Sequence, residues 1–282
     1  MTAEPSWTGV FSHREIERTY AMLTVLEEEA DAGPDRHFGL WHGADDPASV
    51  EEATGRLTER VLSRLGAARG SRVLDVGCGN GRPAVRLAQT SGASVVGIDT
   101  DDRALRAAAA YAQQLGLGHA VRFQHADALR PPFEDASFDA ALAFESTPHF
   151  DVAELYGVLA RVLRPGGRLV VETPYVRGRT TRELLDRIGP YLSLLNAVSL
   201  DPPHVHLAAA RQAGLHITEL SDLTESVRGS SSRLLARLEK AGTRLTDTLG
   251  AEQAGRLLAA FSGWAEAPEV GAILMTFTRT EH

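Results

Sequence analysis

Cysteine is almost absent. Cys78 stands alone in 282 residues, which excludes an intramolecular disulfide and any cysteine-based metal cluster. An excess of basic charge is missing too: 37 acidic against 29 basic residues leave a formal charge of −8, the wrong sign for a partner made of nucleic-acid phosphates. No apolar run approaches the roughly 20 residues that cross a bilayer. The opening MTAEPSWTG lacks the basic stretch and apolar core of a secretory leader. These absences predict a cytoplasmic protein with no nucleic-acid partner and no membrane, and leave a homo-oligomer open. At roughly 150 residues per domain, the length fits one large domain or one domain with a lid. With 43% hydrophobic residues the chain can fill a sizeable core.

What is present is an alternation. A helix is expected from about Ser12 to Ala30, then the aromatic stretch HFGLW at His37 to Trp41, then a helical pattern from Ser49 to Leu65. Strand-like runs follow at Arg72–Val76, Ser94–Asp99, Val121–His125, Phe138–Phe144 and Arg168–Glu172. Helical patterns separate them at Pro83–Thr90, Asp101–Leu115 and Val152–Leu163. Strands that are apolar nearly throughout, spaced by helices, imply a parallel sheet covered on both faces. RPGG, Arg164 to Gly167, reads as a helix stop and turn into the fifth strand. After Glu172 the rhythm breaks. Helices are expected within Thr173–Asp201, at His204–Ala213, Ser230–Leu249 and Ala251–Ala265, and strands at His216–Leu223 and Gly271–Thr278. Residues 1–48 are thus expected to form a helical lid segment, 49–172 the ligand-binding core, and 173–282 a lid insertion with the last strands.

The first strand runs into DVGCGNG, Asp75 to Gly81, and a helix opens at Pro83. Glycines let backbone approach a ligand closely, and the helix N-terminus favours a negative group. A dinucleotide fingerprint would place its third glycine at position 82, where Arg82 stands, and no Gly-Lys-Ser/Thr follows as a phosphate-binding loop would need. Asp99 closes the second strand, where an acid can accept both ribose hydroxyls. Asp127, in QHADAL after the third strand, is placed to accept from an adenine amino group. Together these point to a nucleoside ligand.

The same residues resemble the class I S-adenosylmethionine-dependent methyltransferases. VLDVGCGNGRPAVRLA, RPPFEDASFD and RVLRPGGRLVV look like the small-molecule methyltransferases of bacterial secondary metabolism, enzymes of antibiotic biosynthesis among them. HFGLW is similar to the stretch that in those enzymes closes over the cofactor, and SDLTESVRGS, Ser221 to Ser230, to the segment after their sixth strand. The resemblance implies an α/β fold: a Rossmann-like seven-stranded sheet with helices on both faces and a helical lid. It also implies S-adenosyl-L-methionine as cofactor. Asp75, Gly77 and Gly79 would hold its methionine end, Asp99 with Thr100 the ribose, Asp127 with Ala128 the adenine, and Trp41 the closing lid.

The fourth strand ends in AFESTPHF, Phe144 to Phe150. Resembling sugar and polyketide O-methyltransferases carry ES-x-x-H here, which makes His149 the expected general base; an imidazole can take the proton that a neutral hydroxyl must lose. Glu145 is expected to line the cofactor pocket beneath the sulfonium. Relatives often carry an acid late in the fifth strand; a gapless reading puts Thr173 there, with Glu172 one position early and on the alternate face. DPPH at Asp201–His204 resembles a nucleic-acid methyltransferase motif but stands in the wrong place, and His204 and His206 do not share a helix face as metal ligands would, so no metal is expected. Trp41, Tyr20, Tyr175 and Tyr191 could line an aromatic acceptor pocket or simply pack. The expected reaction is methyl transfer to a hydroxyl of a bacterial natural product or a similar small molecule. The alternatives are C-methylation of an activated carbon, with Glu145 assisting, and a methyltransferase-like cyclase or ligand-binding protein that does not methylate.

Overall fold

The computed structural model describes residues 37–281; the helix expected over Ser12–Ala30, and Tyr20 within it, lie outside the described residues. Helix α1 (Val50–Leu62) begins at a capping box written in the sequence. Ser49 Oγ accepts from the Glu52 amide at 3.1 Å, and the Glu52 carboxylate accepts from the Ser49 amide at 2.7 Å. Then come β1 (Arg72–Val76), α2 (Arg82–Ser91), β2 (Ser94–Asp99), α3 (Asp102–Gln114), β3 (Val121–His125), β4 (Phe138–Phe144), α4 (Val152–Val162) and β5 (Leu163–Val176). Pro83 stands in the first turn of α2, where a missing N–H costs nothing. Asp101 and Asp151 cap α3 and α4 by accepting from the amides of Arg103 and Glu154.

The second half holds α5 (Arg182–Leu194), α6 (Pro203–Gln212), β6 (Leu215–Asp222), a short α7 (Thr224–Val227), α8 (Gly229–Lys240), α9 (Gly242–Leu249), α10 (Ala251–Ala265) and β7 (Val270–Arg279). The helical pattern expected over Ser230–Leu249 is two helices, parted at Ala241 and Gly242, because glycine is a poor helix interior residue. RPGG also differs from expectation. The extended chain of β5 begins at Leu163 and runs through it, with Gly166 at φ 75° and a register shift opposite Phe138–Ala140, so the anticipated turn is an irregularity inside the strand.

All seven strands form one sheet, ordered β3-β2-β1-β4-β5-β7-β6. Strands β1 to β5 pair in parallel and β6 runs antiparallel to β7. The order reverses beside β1, so the carboxyl ends of β1, β2 and β4 flank the crevice where ligands bind in open α/β sheets. The registers also decide which side chains share a face. Asp75 pairs with Leu142 and with Gly97; Phe144 pairs with Glu172. Since alternate residues share a face, Asp75, Asp99 and Glu172 project to one side of the sheet.

The described chain divides into two compact units. The sheet unit comprises residues 57–174, 201–222 and 272–281. Its interior includes Val73, Leu74, Ile98, Leu142, Leu155, Leu159 and Phe277, all essentially without exposure. The helical unit comprises residues 37–56, 175–200 and 223–271. Within it Leu194, Leu238, Leu245, Leu257 and Phe261 form one cluster, and Leu184, Ile188, Leu192 and Trp264 another. Tyr191 joins the two, stacked 4.5 Å from Trp264 and edge-on to Phe261 at 5.0 Å.

One polar contact inside the sheet unit sets an acid limit on stability. Tyr156 of α4 and His206 of α6 are both buried, and the Tyr156 hydroxyl meets His206 Nδ1 at 2.9 Å. Burial lowers the His206 pKa to about 4, against a smaller upward pull from the Asp201 backbone. Between about 6.5 and about 4 the unfolded chain therefore binds a proton that the folded chain refuses, so stability is fully present above that window and falls as pH drops through it. The shift corresponds to about 3 kcal/mol. We predict that urea unfolding of His206→Gln, compared with the parent protein at pH 7 and at pH 4.5, shows a variant that is less stable at neutral pH but loses less stability on acidification. Parallel losses would leave His206 without this role.

Candidate active site

Three glycines shape the turn after β1. Gly77, Gly79 and Gly81 have φ of 68°, 50° and 74°, left-handed values that L side chains rarely adopt. Space is short at two of them. A Cβ at Gly77 would stand 2.6 Å from Ser146 Cβ, and one at Gly81 would run into the Phe123 ring. At Gly79 a Cβ would meet nothing within 4 Å, so the loop is open on that side. The turn is pinned from β2: the Gly77 and Cys78 amides both donate to the Ile98 carbonyl, at 2.9 and 3.1 Å. Cys78 packs its sulfur toward Gly97, and burial with the charges of Asp75 and Asp99 pushes its thiol pKa well up, so it is no nucleophile.

The acids around the loop divide into two kinds. Asp99 is engaged: its Oδ2 accepts from the Gly79 amide at 2.8 Å and its Oδ1 from the Asp101 amide at 2.9 Å. Each oxygen has a second lone pair, so two backbone donors aim the carboxylate without filling it. Thr100 follows it, exposed. Asp127 is held in the same way, by the Leu129 amide at 2.9 Å and the Arg130 guanidinium at 3.1 Å, and these bonds lower its pKa. Ala128 beside it is buried.

Asp75 and Glu172 are the other kind. Asp75 is 3% exposed, its Oδ2 has no hydrogen-bond partner, and burial together with the charge of Asp99 raises its pKa to about 7. Glu172 is fully buried, and neither of its carboxyl oxygens has a partner. Its pKa is pushed well up by burial and by the neighbouring charge of Glu145. The Ser146 hydroxyl, against Gly77, is likewise buried and unpartnered. A buried acceptor without a donor costs about 1–3 kcal/mol, more when charged. These acceptors meet the requirement of a ligand that brings positive charge and N–H donors to the carboxyl edge of the sheet.

Beyond β4 the backbone turns sharply. Glu145 has φ 49°, a strained value for a residue with a side chain, and its amide donates to the Glu172 carbonyl at 2.8 Å. A short 3-10 turn, Thr147–His149, follows, with Pro148 buried and His149 exposed. Thr147 Oγ1 bonds Thr173 Oγ1 at 2.7 Å, anchoring the turn to β5. Position 173, where the family resemblance would put an acid, is thus taken by this hydroxyl pair, while Glu172 faces the side of Asp75 and Asp99. Sequence reasoning left Glu172 aside because its facing depends on strand register, which one sequence does not display.

Trp41 belongs to the helical unit. It is 3% exposed, its indole N–H donates to Ser230 Oγ at 2.9 Å, its amide donates to the Ser226 carbonyl at 2.7 Å, and the Arg233 guanidinium lies 3.8 Å over its ring. HFGLW and SDLTESVRGS are therefore bound to each other. The same unit has a recess lined by Phe38, Val227, Trp264, Ala267 and the Thr224 side chain. Tyr175 and Tyr191 are committed to packing, against Gly271 and Trp264 respectively. His206 is committed to Tyr156 while His204 is exposed.

A methyltransferase domain model matches residues 73–167. The chain is 35% identical over 244 residues to methyltransferase GfsG of Streptomyces halstedii, covering 85% of each chain. It is 35% identical over 250 residues to the 27-O-demethylrifamycin SV methyltransferase of Amycolatopsis mediterranei, covering 86% of this chain and 89% of that one. Among solved structures, the 4+2 cyclase SpnF aligns over 99% of this chain and 98% of its own, with a TM-score of 0.82 and 28% identity. The geranyl diphosphate C-methyltransferase of Streptomyces coelicolor A3(2), solved with S-adenosyl-L-homocysteine, shares the fold at a TM-score of 0.70 and 18% identity, over 96% of this chain and all of that one. With these relatives, and with a glycine turn beside an aimed acid at the end of β2 and buried unpartnered acceptors, the chain belongs to the S-adenosylmethionine-dependent methyltransferases.

Proposed function

We propose that this methyltransferase places a methyl group on a hydroxyl of a small-molecule acceptor, a bacterial natural product or a similar compound, with His149 as general base. The observation that carries the reading is the pair of unpartnered buried acceptors at the carboxyl ends of β1 and β4, Asp75 Oδ2 and Ser146 Oγ, beside a glycine turn that is open at Gly79. A relative named as the 27-O-demethylrifamycin SV methyltransferase, and others named as O-methyltransferases, support the acceptor class. Asp75 would accept from the ammonium of the methionine end, which the turn at Gly77 and Gly79 would let approach the backbone. Asp99, aimed by two amides, would take the ribose hydroxyls with Thr100 alongside, and Asp127 with Ala128 would take the adenine edge. Bound S-adenosylmethionine supplies a methyl group already activated on a sulfonium. The chain's own part is to align the acceptor oxygen and remove its proton. His149 stands on the exposed side of a turn that Pro148 and the Thr147–Thr173 bond hold still, so its imidazole is offered to an incoming acceptor.

The likeness to SpnF favours a second reading, a methyltransferase fold that binds the cofactor and catalyses a cyclisation. Formation of S-adenosylhomocysteine from S-adenosylmethionine in the presence of candidate acceptors separates the two.

For the cofactor site, titration calorimetry should show S-adenosylhomocysteine binding that Asp99→Ala weakens at least about tenfold, the loss expected when a hydrogen-bonded carboxylate is removed. Binding of NAD with no heat from S-adenosylhomocysteine would sink this assignment. For the base, His149→Ala should lower turnover by about 10²–10⁴-fold with cofactor affinity nearly unchanged. Its pH profile should also lose the ascending limb that a base needing deprotonation gives the parent enzyme. A variant that keeps most of its turnover on the true acceptor would remove His149 from the mechanism, as expected of C-methylation at an already acidic carbon.

A further inference from the structure

Glu172 has no part in the reaction just described, yet it is the most deeply buried carboxyl group on the carboxyl edge of the sheet. It is fully buried on β5, both its oxygens lack partners, and the carboxyl group that acts on it electrostatically belongs to Glu145. The two residues are tied through the backbone as well, by the Glu145 amide on the Glu172 carbonyl, at a point where Glu145 is forced to φ 49°. Two ionised carboxylates are both acceptors only and repel. One proton between them converts the repulsion into a hydrogen bond and supplies a donor where Glu172 has none.

We propose that Glu172 is a positioning residue that carries a proton at neutral pH and donates it to Glu145, so that the pair presents a single directed carboxylate to the cofactor. This rests on the reading that Glu145 lines the S-adenosylmethionine pocket. The surroundings favour a neutral Glu172. Asp75 and Asp99 share its sheet face, and His149 stands in the turn after β4. Tyr156 and His206, on α4 and α6, are engaged with each other, and burial disfavours the charged form of each. The basic residues of the central strands, Arg72, Arg164, Arg168 and Arg279, lie toward the opposite edge, where Arg164 pairs with Asp139 and Arg279 bonds the Leu163 carbonyl. Burial also raises the pKa of Glu172, in the direction the proton requires. The consequence is electrostatic economy: a cationic ligand meets one charge from this pair instead of two, and Glu145 keeps the orientation that its strained backbone begins.

The test reads the proton directly. With glutamate labelled at its carboxyl carbon with ¹³C, NMR of the full chain at pH 7 should show one resonance at the position of a protonated carboxyl. It should be lost in Glu172→Gln. Labelling glutamate alone keeps Asp75 out of the spectrum. A chain whose glutamates all titrate near their ordinary value of about 4.3 overturns the proposal, as does a protonated resonance that survives in Glu172→Gln. Calorimetry gives the positioning role. Glu172→Leu, which has no donor, should weaken S-adenosylhomocysteine binding about tenfold or more, and Glu172→Gln, which keeps one, should recover to within about threefold of the parent. Equal losses in the two variants overturn the hydrogen-bond role. A parent protein that binds no S-adenosylhomocysteine would refute the cofactor-site reading instead, and the NMR result would still decide whether Glu172 holds a proton.

Discussion

The site depends on acceptors buried before any donor reaches them. In a parallel sheet the strands end together, and residues at those ends are covered by the helices that follow. Asp75 on β1, Ser146 after β4 and Glu172 on β5 are carried into that cover with polar atoms unpaired. The folded chain bears this cost locally, and the remainder of the sheet unit, with residues such as Leu74, Ile98, Leu142 and Phe277 wholly buried, supplies the surplus that allows it. At Asp75 and Ser146 a ligand with a positive charge and N–H donors recovers the cost, which ties cofactor choice to strand pairing.

A second consequence is a division of labour among carboxylates. Asp99 and Asp127 accept backbone amides, which aim them, and at Asp127 these bonds also lower the pKa. Asp75 and Glu172 have no such bonds, and burial moves both toward the neutral form. One fold thus treats its acids in two ways, through hydrogen bonding at two of them and desolvation at the other two. Cys78, among these charges, is kept a thiol by the same burial and serves only to fill space against Gly97.

Much of this architecture was legible in the residues. Strand ends at Val76, Asp99, His125 and Phe144 coincide with the observed ones because each apolar run stops at a glycine, an acid or a turn former with strong local preferences. The helices over Asp102–Gln114 and Val152–Val162 begin within a residue of the expected starts, each capped by the acid before it, Asp101 and Asp151. RPGG was harder, since an extended chain interrupted by a left-handed glycine has the composition of a turn and differs from one only through its partner strand. The facing of Glu172 was illegible outright. It follows from the pairing of Phe144 with Glu172 and of Leu142 with Asp75, contacts made across the sheet by residues far apart in the chain. The binding of HFGLW to the Ser226–Ser230 segment was equally hidden, because nothing local in either stretch names the other.

The account turns on Asp75 receiving the positive end of the cofactor. In the free protein burial and Asp99 raise this carboxyl to about 7, so near neutral pH it is about half protonated. An ammonium partner favours the charged form and expels that proton. Titration of S-adenosylhomocysteine into the protein at pH 7, in buffers of different ionisation enthalpy, counts protons directly. The account predicts release of about half a proton, abolished in Asp75→Asn. Heats that do not depend on the buffer, or a release that persists unchanged in Asp75→Asn, would contradict it.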